Sequence, residues 1–179
     1  MVETSLAIAL SGLSFMISVI WGGPLLRVLG HFRVGKIIRV EGPSHHQTKM
    51  GTPTMGGVMF VLPVLLLTGL LNAAALLGFD VLGRSVMLPM MVMLAYTILG
   101  AVDDWEGIRG RRRGLGMRAR TKFILQVLIA IGAAVTLYSN NVAHLYWPGT
   151  HGRIDLGLFY IPLAVFVIVA ESNAMNFTD

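Results

Sequence analysis

Three short stretches stand out chemically in a largely apolar chain: "KMGTPTMGG" at 49–57, "VDDWEG" at 102–107 and "ESNAMNFTD" at 171–179. In the second, Asp103 and Asp104 close an uncharged run that begins at Ser85. Two neighbouring carboxylates suit Mg²⁺, a hard cation held through one or two carboxylates together with substrate phosphates. One of them could instead take up a proton as a general base. The plainer alternative is a solvated helix end neutralised by Arg109 and Arg111–Arg113. Carboxylates are disfavoured at a helix C-terminus, and ionisable groups at a membrane edge are functional candidates by default, so position favours a site.

In the first stretch, Thr52 followed by Pro53 fits an N-cap with proline at the first helical position. A helix starting there would turn free N–H groups and its positive dipole end to the membrane face, where phosphate binds readily and Lys49 adds a charge. The alternative is a capped membrane helix with a snorkelling lysine. His45 and His46 read as solvated loop residues. In the third stretch, Asn176 lies three residues from both Asn173 and Asp179, so a helix would bring all three to one face. Amides there could read a base or sugar and Asp179 could be a further metal ligand, whereas turn-forming residues ending a helix is the simpler account.

The elements that must position these residues are membrane spans. The 179 residues are 55% hydrophobic and 13% charged, with mean hydropathy +0.72. A soluble domain normally carries about 25% charged residues. Apolar runs predict five spans, near 4–28, 54–78, 86–103, 122–141 and 156–172, and hence an all-α polytopic membrane bundle. "MVETS" ahead of a long apolar stretch is not the basic leader of a cleaved signal peptide. "YWPGTHG", between spans four and five, reads as a short hairpin with interfacial aromatics. There are no cysteines, and no repeat or low-complexity tract is visible.

The net charge of +5 and "RGRRRG" could suggest nucleic acid, but the distribution argues for a membrane. Twelve of the fourteen Lys and Arg lie at the end of span one, in the loop after it or after span three; only Arg84 and Arg153 fall in the alternate loops. The positive-inside rule then puts the N-terminus outside and all three polar stretches on the cytoplasmic face, and makes the loop between spans four and five periplasmic. Attraction to anionic head groups or substrate phosphates adds to that signal.

In this order and on one face, "KMGTPTMGG", "VDDWEG…KF" and "NAMNFTD" resemble the phospho-N-acetylmuramoyl-pentapeptide transferase family, part of the polyprenyl-phosphate N-acetylhexosamine-1-phosphate transferase superfamily. The resemblance covers essentially the whole chain. It implies transfer of phospho-N-acetylmuramoyl-pentapeptide from a UDP-linked donor to undecaprenyl phosphate in the bacterial inner membrane, with release of UMP and a need for Mg²⁺. It implies that Asp103 and Asp104 are catalytic and near the metal, with Asp179 as a further ligand. Lys49, Thr52, Thr54, Lys122, Asn173, Asn176 and Asp179 match substrate-binding positions. Many members place a basic residue three positions after the aspartate pair; here it is Gly107, with Arg109 the nearest substitute. The family has ten spans and is expected to form a homodimer, so the chain is expected to be a single transmembrane domain forming the N-terminal portion of a longer enzyme, inactive alone. Two rivals are a related N-acetylglucosamine-1-phosphate transferase, against which "GTPTMGG" argues, and a non-catalytic truncated membrane module.

Overall fold

The computed structural model describes residues 2–31, 54–74, 77–78, 86–109, 116–146 and 152–178. Five α-helices dominate: α1 (Val2–His31), α2 (Val58–Ala74), α3 (Met87–Arg109), α4 (Ala119–Ser139) and α5 (Tyr160–Thr178). Strands β1 (His144–Tyr146) and β2 (Arg153–Asp155) lie between α4 and α5. The all-α membrane bundle expected from the sequence is present. Four helices are long and apolar enough to cross a membrane, and α2 is a shorter apolar helix of 17 residues. At 1.5 Å per residue α2 is about 25 Å long, a little less than a hydrocarbon core of about 30 Å. The chain forms two compact units, Met1–Arg118 and Ala119–Asp179.

In the first unit α1 packs on α2, and α2 on α3. The face of α1 that turns inward carries Ser14, Ser18 and Gly22, all buried and spaced four apart. Small residues at this spacing let two backbones approach in a membrane, where no hydrophobic drive exists between helices. At Gly22 an added Cβ would come 2.5 Å from Met59 Sδ of α2, so the two helices already touch there. Beside it the Trp21 indole N–H donates to the Met59 carbonyl at 3.0 Å. That carbonyl is available for a reason visible in the sequence. Its helical partner would be the N–H of Pro63, and proline has none.

Polar side chains within the apolar helices are satisfied locally. Ser18, Thr97 and Thr136 donate to carbonyls four residues back at 2.7–2.8 Å, and Thr68 bonds Val64 in the same way. Such back-bonding removes the cost of a hydroxyl in hydrocarbon.

In the second unit α4 and α5 run antiparallel. The buried face of α4 is Gln126, Ala130, Ala133 and Ala134, a helical stripe of small residues with one amide at its end. Val169 of α5 is buried in the same unit, and Asn173 Nδ2 donates to Gln126 Oε1 at 3.0 Å. After α4 the chain turns through Asn141, whose φ of 55° suits asparagine. Val142 N–H bonds Leu137 O and Asn141 N–H bonds Tyr138 O, both at 3.1 Å, closing a Schellman motif. The expected hairpin follows. His144 pairs with Asp155, Leu145 with Ile154 and Tyr146 with Arg153 in antiparallel register, and the Arg153 guanidinium lies 5.9 Å over the Tyr146 ring. Asp155 Oδ1 then accepts the Gly157 N–H at 2.8 Å, turning the chain into α5.

Candidate active site

The aspartate pair does not end its helix. The run 86–103 was expected to stop at Asp103, but α3 continues through Asp103 and Asp104 to Arg109. Trp105, Glu106 and Ile108 all have adequate helix propensity, and hydropathy marks where a span leaves the membrane rather than where its helix unwinds. The aspartates therefore sit on a formed helical surface. Successive helical side chains are about 100° apart, so the two carboxylates fan towards different neighbours rather than forming one clamp.

Each carboxylate accepts a backbone N–H from a different segment of the first unit. Asp104 Oδ2 accepts from Met55 at 3.0 Å, and Asp103 Oδ1 accepts from Met117 at 2.8 Å. The segments are the turn leading into α2 and the residues just before α4. Both carboxylates are half-buried. A hydrogen bond to an ionised group contributes on the order of 1.5–3 kcal/mol, so α3 holds both loops by charged contacts.

The turn before α2 differs from the sequence expectation. Thr52 and Pro53 were read as the N-cap and first residue of a helix, but the helix begins at Val58. Met55 has φ of 66°, and Val58, Met59 and Phe60 donate to Met55, Gly56 and Gly57 carbonyls through tight turns. The paired glycines explain the delay, since glycine is about 1 kcal/mol less favourable than alanine in a helix. A left-handed methionine is also costly, by roughly 1–2 kcal/mol, which the Asp104 bond is strong enough to offset. Thr54 lies in this turn, half-buried. A cavity of about 360 Å³ opens between the turn, α2 and α3. Val58, Val61, Met93, Tyr96 and Gly100 contribute to its walls, and Asp104 is the charged residue among its described lining.

The loop before α4 is shaped around Asp103. Gly116 is buried, with φ of 66°, and an added Cβ would come 2.6 Å from Asp103 Oδ1 and 3.1 Å from the Asp103 carbonyl oxygen. The position three after the pair, Gly107, is buried on α3, and Arg109 is the last residue of that helix.

Lys122, Asn173 and Asn176 belong to the second unit. Lys122 is half-buried in the first turns of α4. Asn173 and Asn176 both lie in α5, which runs through the Asn-rich stretch instead of ending in it. Asn173 Nδ2 donates to Gln126 Oε1 at 3.0 Å and to Val169 O at 2.8 Å. Lys49, Thr52 and Asp179 lie outside the described residues, as do His45, His46 and Arg111–Arg113. Sequence reasoning overlooked Met55, Gly116 and Gln126. A lone amide in "FILQVLIAIGAA" was a usable signal for Gln126.

Comparison with known proteins bears on the same segments. The family model Glycosyl transferase family 4 matches residues 86–179, which carry both aspartates and the Asn-rich stretch. Phospho-N-acetylmuramoyl-pentapeptide-transferase signature 1 matches residues 49–61, which include Met55, the residue whose N–H Asp104 accepts. Relatives named phospho-N-acetylmuramoyl-pentapeptide-transferase include that of Chloroflexus aurantiacus, 38% identical over 97% of this chain and 47% of its own length. That of Bacillus subtilis is 38% identical over 93% and 50%, and that of Geobacillus thermodenitrificans 39% over 100% and 54%. The chain thus spans about half the length of the curated relatives it matches. With its second half matching the family model and its first half carrying the signature, the chain belongs to glycosyl transferase family 4, in the phospho-N-acetylmuramoyl-pentapeptide-transferase branch.

Proposed function

We propose that this chain forms part of an enzyme that transfers phospho-N-acetylmuramoyl-pentapeptide from its UDP-linked donor to undecaprenyl phosphate. The products are UMP and the first lipid-linked intermediate of peptidoglycan synthesis. One observation carries the reading furthest. The Met55 N–H to Asp104 bond joins the signature segment to the aspartate pair, two motifs that the sequence separates by 49 positions.

The chemistry demands such a junction. The reaction brings a phosphate nucleophile to a diphosphate, so negative charge gathers where substrates meet, and fixed cationic groups and metal must offset it. Mg²⁺ suits this chemistry, because carboxylates and substrate phosphate oxygens are the hard donors it takes. Asp103 and Asp104 would hold the ion, with Asp179 as a further ligand, and when bound it would supply charge neutralisation at the diphosphate. Asp103 serves as the base or activator of the lipid phosphate, and Asp104 is its partner. Lys49 and Lys122 meet donor phosphates, while Thr52, Thr54, Asn173 and Asn176 meet the nucleotide and sugar. Both N–H donors of the Asn173 amide are already given to Gln126 and Val169, so its contact with substrate runs through its carbonyl oxygen to a donor group.

An isoprenoid acceptor requires a site at a membrane face, here the cytoplasmic face of the bacterial inner membrane. In the full-length protein Asp103→Asn is expected to abolish UMP release while membrane insertion is unchanged. Near-normal turnover of that variant, assayed with both substrates in detergent or membranes, would remove Asp103 from the reaction.

A further inference from the structure

We infer that Gly116 is a positioning residue for Asp103: its missing side chain and left-handed backbone let the Met117 N–H hold the Asp103 carboxylate in one orientation. The inference rests on the proposed role of Asp103, and it concerns a residue in none of the three polar stretches.

The geometry supplies three linked facts. Gly116 is buried and has φ of 66°, so only a residue tolerant of the left-handed region fits. Its Cα faces Asp103 so closely that an added Cβ would meet three atoms of that residue: Oδ1 at 2.6 Å, the carbonyl oxygen at 3.1 Å and Cγ at 3.2 Å. The next residue, Met117, donates its N–H to the same Oδ1 at 2.8 Å.

A methyl group at 116 therefore forces a choice. If the Asp103 carboxylate rotates away, it leaves the Met117 N–H. If the loop withdraws, the N–H leaves the carboxylate. The Asp103 carbonyl is part of α3 and cannot yield without disturbing the helix. Either way the carboxylate loses a contact that helps to fix its χ angles, although no atom of Gly116 needs to touch substrate. A reacting group misplaced by about 1 Å can lower a rate by up to about a hundredfold while substrate binding persists.

The test separates positioning from folding. Gly116→Ala adds the Cβ and strains the backbone, whereas Gly116→Asn adds the Cβ in a residue that tolerates the left-handed region. Gly78 has φ of 86° with nothing among the described residues within 4 Å of an added Cβ, so Gly78→Ala supplies backbone strain without a clash against them. In the full-length protein both Gly116 variants are expected to lose roughly ten- to a hundredfold in kcat with little change in donor KM. Gly78→Ala should keep the parental kcat. Parental kcat in Gly116→Asn, or an equal loss in Gly78→Ala, would overturn the inference.

A second measurement needs no activity. The drop in thermal midpoint caused by Gly116→Ala should shrink when Asp103 is already alanine, because the Cβ then has no carboxylate to displace. An unchanged drop would overturn the steric account. Asp103→Asn run in parallel isolates the underlying reading. A dead Asp103→Asn beside fully active Gly116 variants defeats only the positioning role. An active Asp103→Asn beside intact thermal coupling defeats only the catalytic one.

Discussion

Trp21 and Pro63 show how one residue creates the bond that another completes. Proline at 63 withholds the N–H that Met59 O would receive within α2, and in hydrocarbon an unsatisfied carbonyl costs several kcal/mol. The Trp21 indole supplies the missing donor from α1 at 3.0 Å, so a local helix defect becomes an interhelical contact. Trp21→Phe keeps the ring but removes the donor, and should destabilise the protein by about 1–2 kcal/mol. Pro63→Ala restores a helical donor to Met59 O, so Trp21→Phe in that background should cost much less. A double-mutant cycle in thermal or denaturant unfolding checks this, and additive effects would show that the indole bond carries no stability. Asp103 and Asp104 follow the same logic, each accepting the N–H of a residue at or beside a left-handed backbone position. The sequence announced the pair through residue type alone. It could not announce Met55 or Gly116, because a left-handed methionine has no sequence signature and a loop glycine acquires meaning only when Asp103 stands against it.

At the scale of elements, apolar runs located all five helices because length and hydropathy are what a bilayer selects. The errors fell at helix ends, where hydropathy is silent. Helix α3 ran past the aspartates to Arg109, and α2 began at Val58 because Gly56 and Gly57 disfavour a helical start. The hairpin was legible from its turn residues, although its strands are only three residues each. What remained hidden was pairing. Nothing in "FILQVLIAIGAA" says which helix receives Gln126, and the answer is Asn173, a residue the sequence offered as a substrate contact or as part of a helix-ending turn. This amide pair joins α4 to α5 beside a stripe of alanines on α4. Interhelical hydrogen bonds in membranes contribute on average about 0.6 kcal/mol and up to about 1.7. Gln126 is 3% exposed, which puts this bond toward the upper figure. Gln126→Leu should thus lower stability by about 1–2 kcal/mol in reversible denaturation. If Asn173 also meets substrate, the same variant should raise the donor KM, since Asn173 then loses the partner that orients it. A stability loss with unchanged KM would assign Asn173 to the helix interface alone.

At the scale of the whole molecule, the helices bury very little of themselves. The most apolar windows of α3 and α5 are 6% buried, and large residues such as Phe15, Ile20, Phe159 and Phe166 are two-thirds exposed or more. Contiguous apolar surface of this extent is not tolerated in water, so lipid or further helices must cover it. Because the matched relatives are about twice as long, both kinds of cover are expected for the enzyme. The charge distribution gives an expectation for which way the helices thread the bilayer. Lys and Arg crowd the loops after α1 and α3, while Arg84 and Arg153 stand alone in the alternate loops. Charge in short loops sets orientation, and so the aspartates and the signature turn are expected to face the cytoplasm. These 179 residues hold no cysteine, so a thiol introduced here is the only one among them. Gly110→Cys should resist a membrane-impermeant maleimide applied to intact cells and react after permeabilisation. Gly152→Cys, beside the hairpin strand β2, should react from outside without permeabilisation. The reverse pattern would turn the bundle over and overturn the cytoplasmic placement of the carboxylate pair.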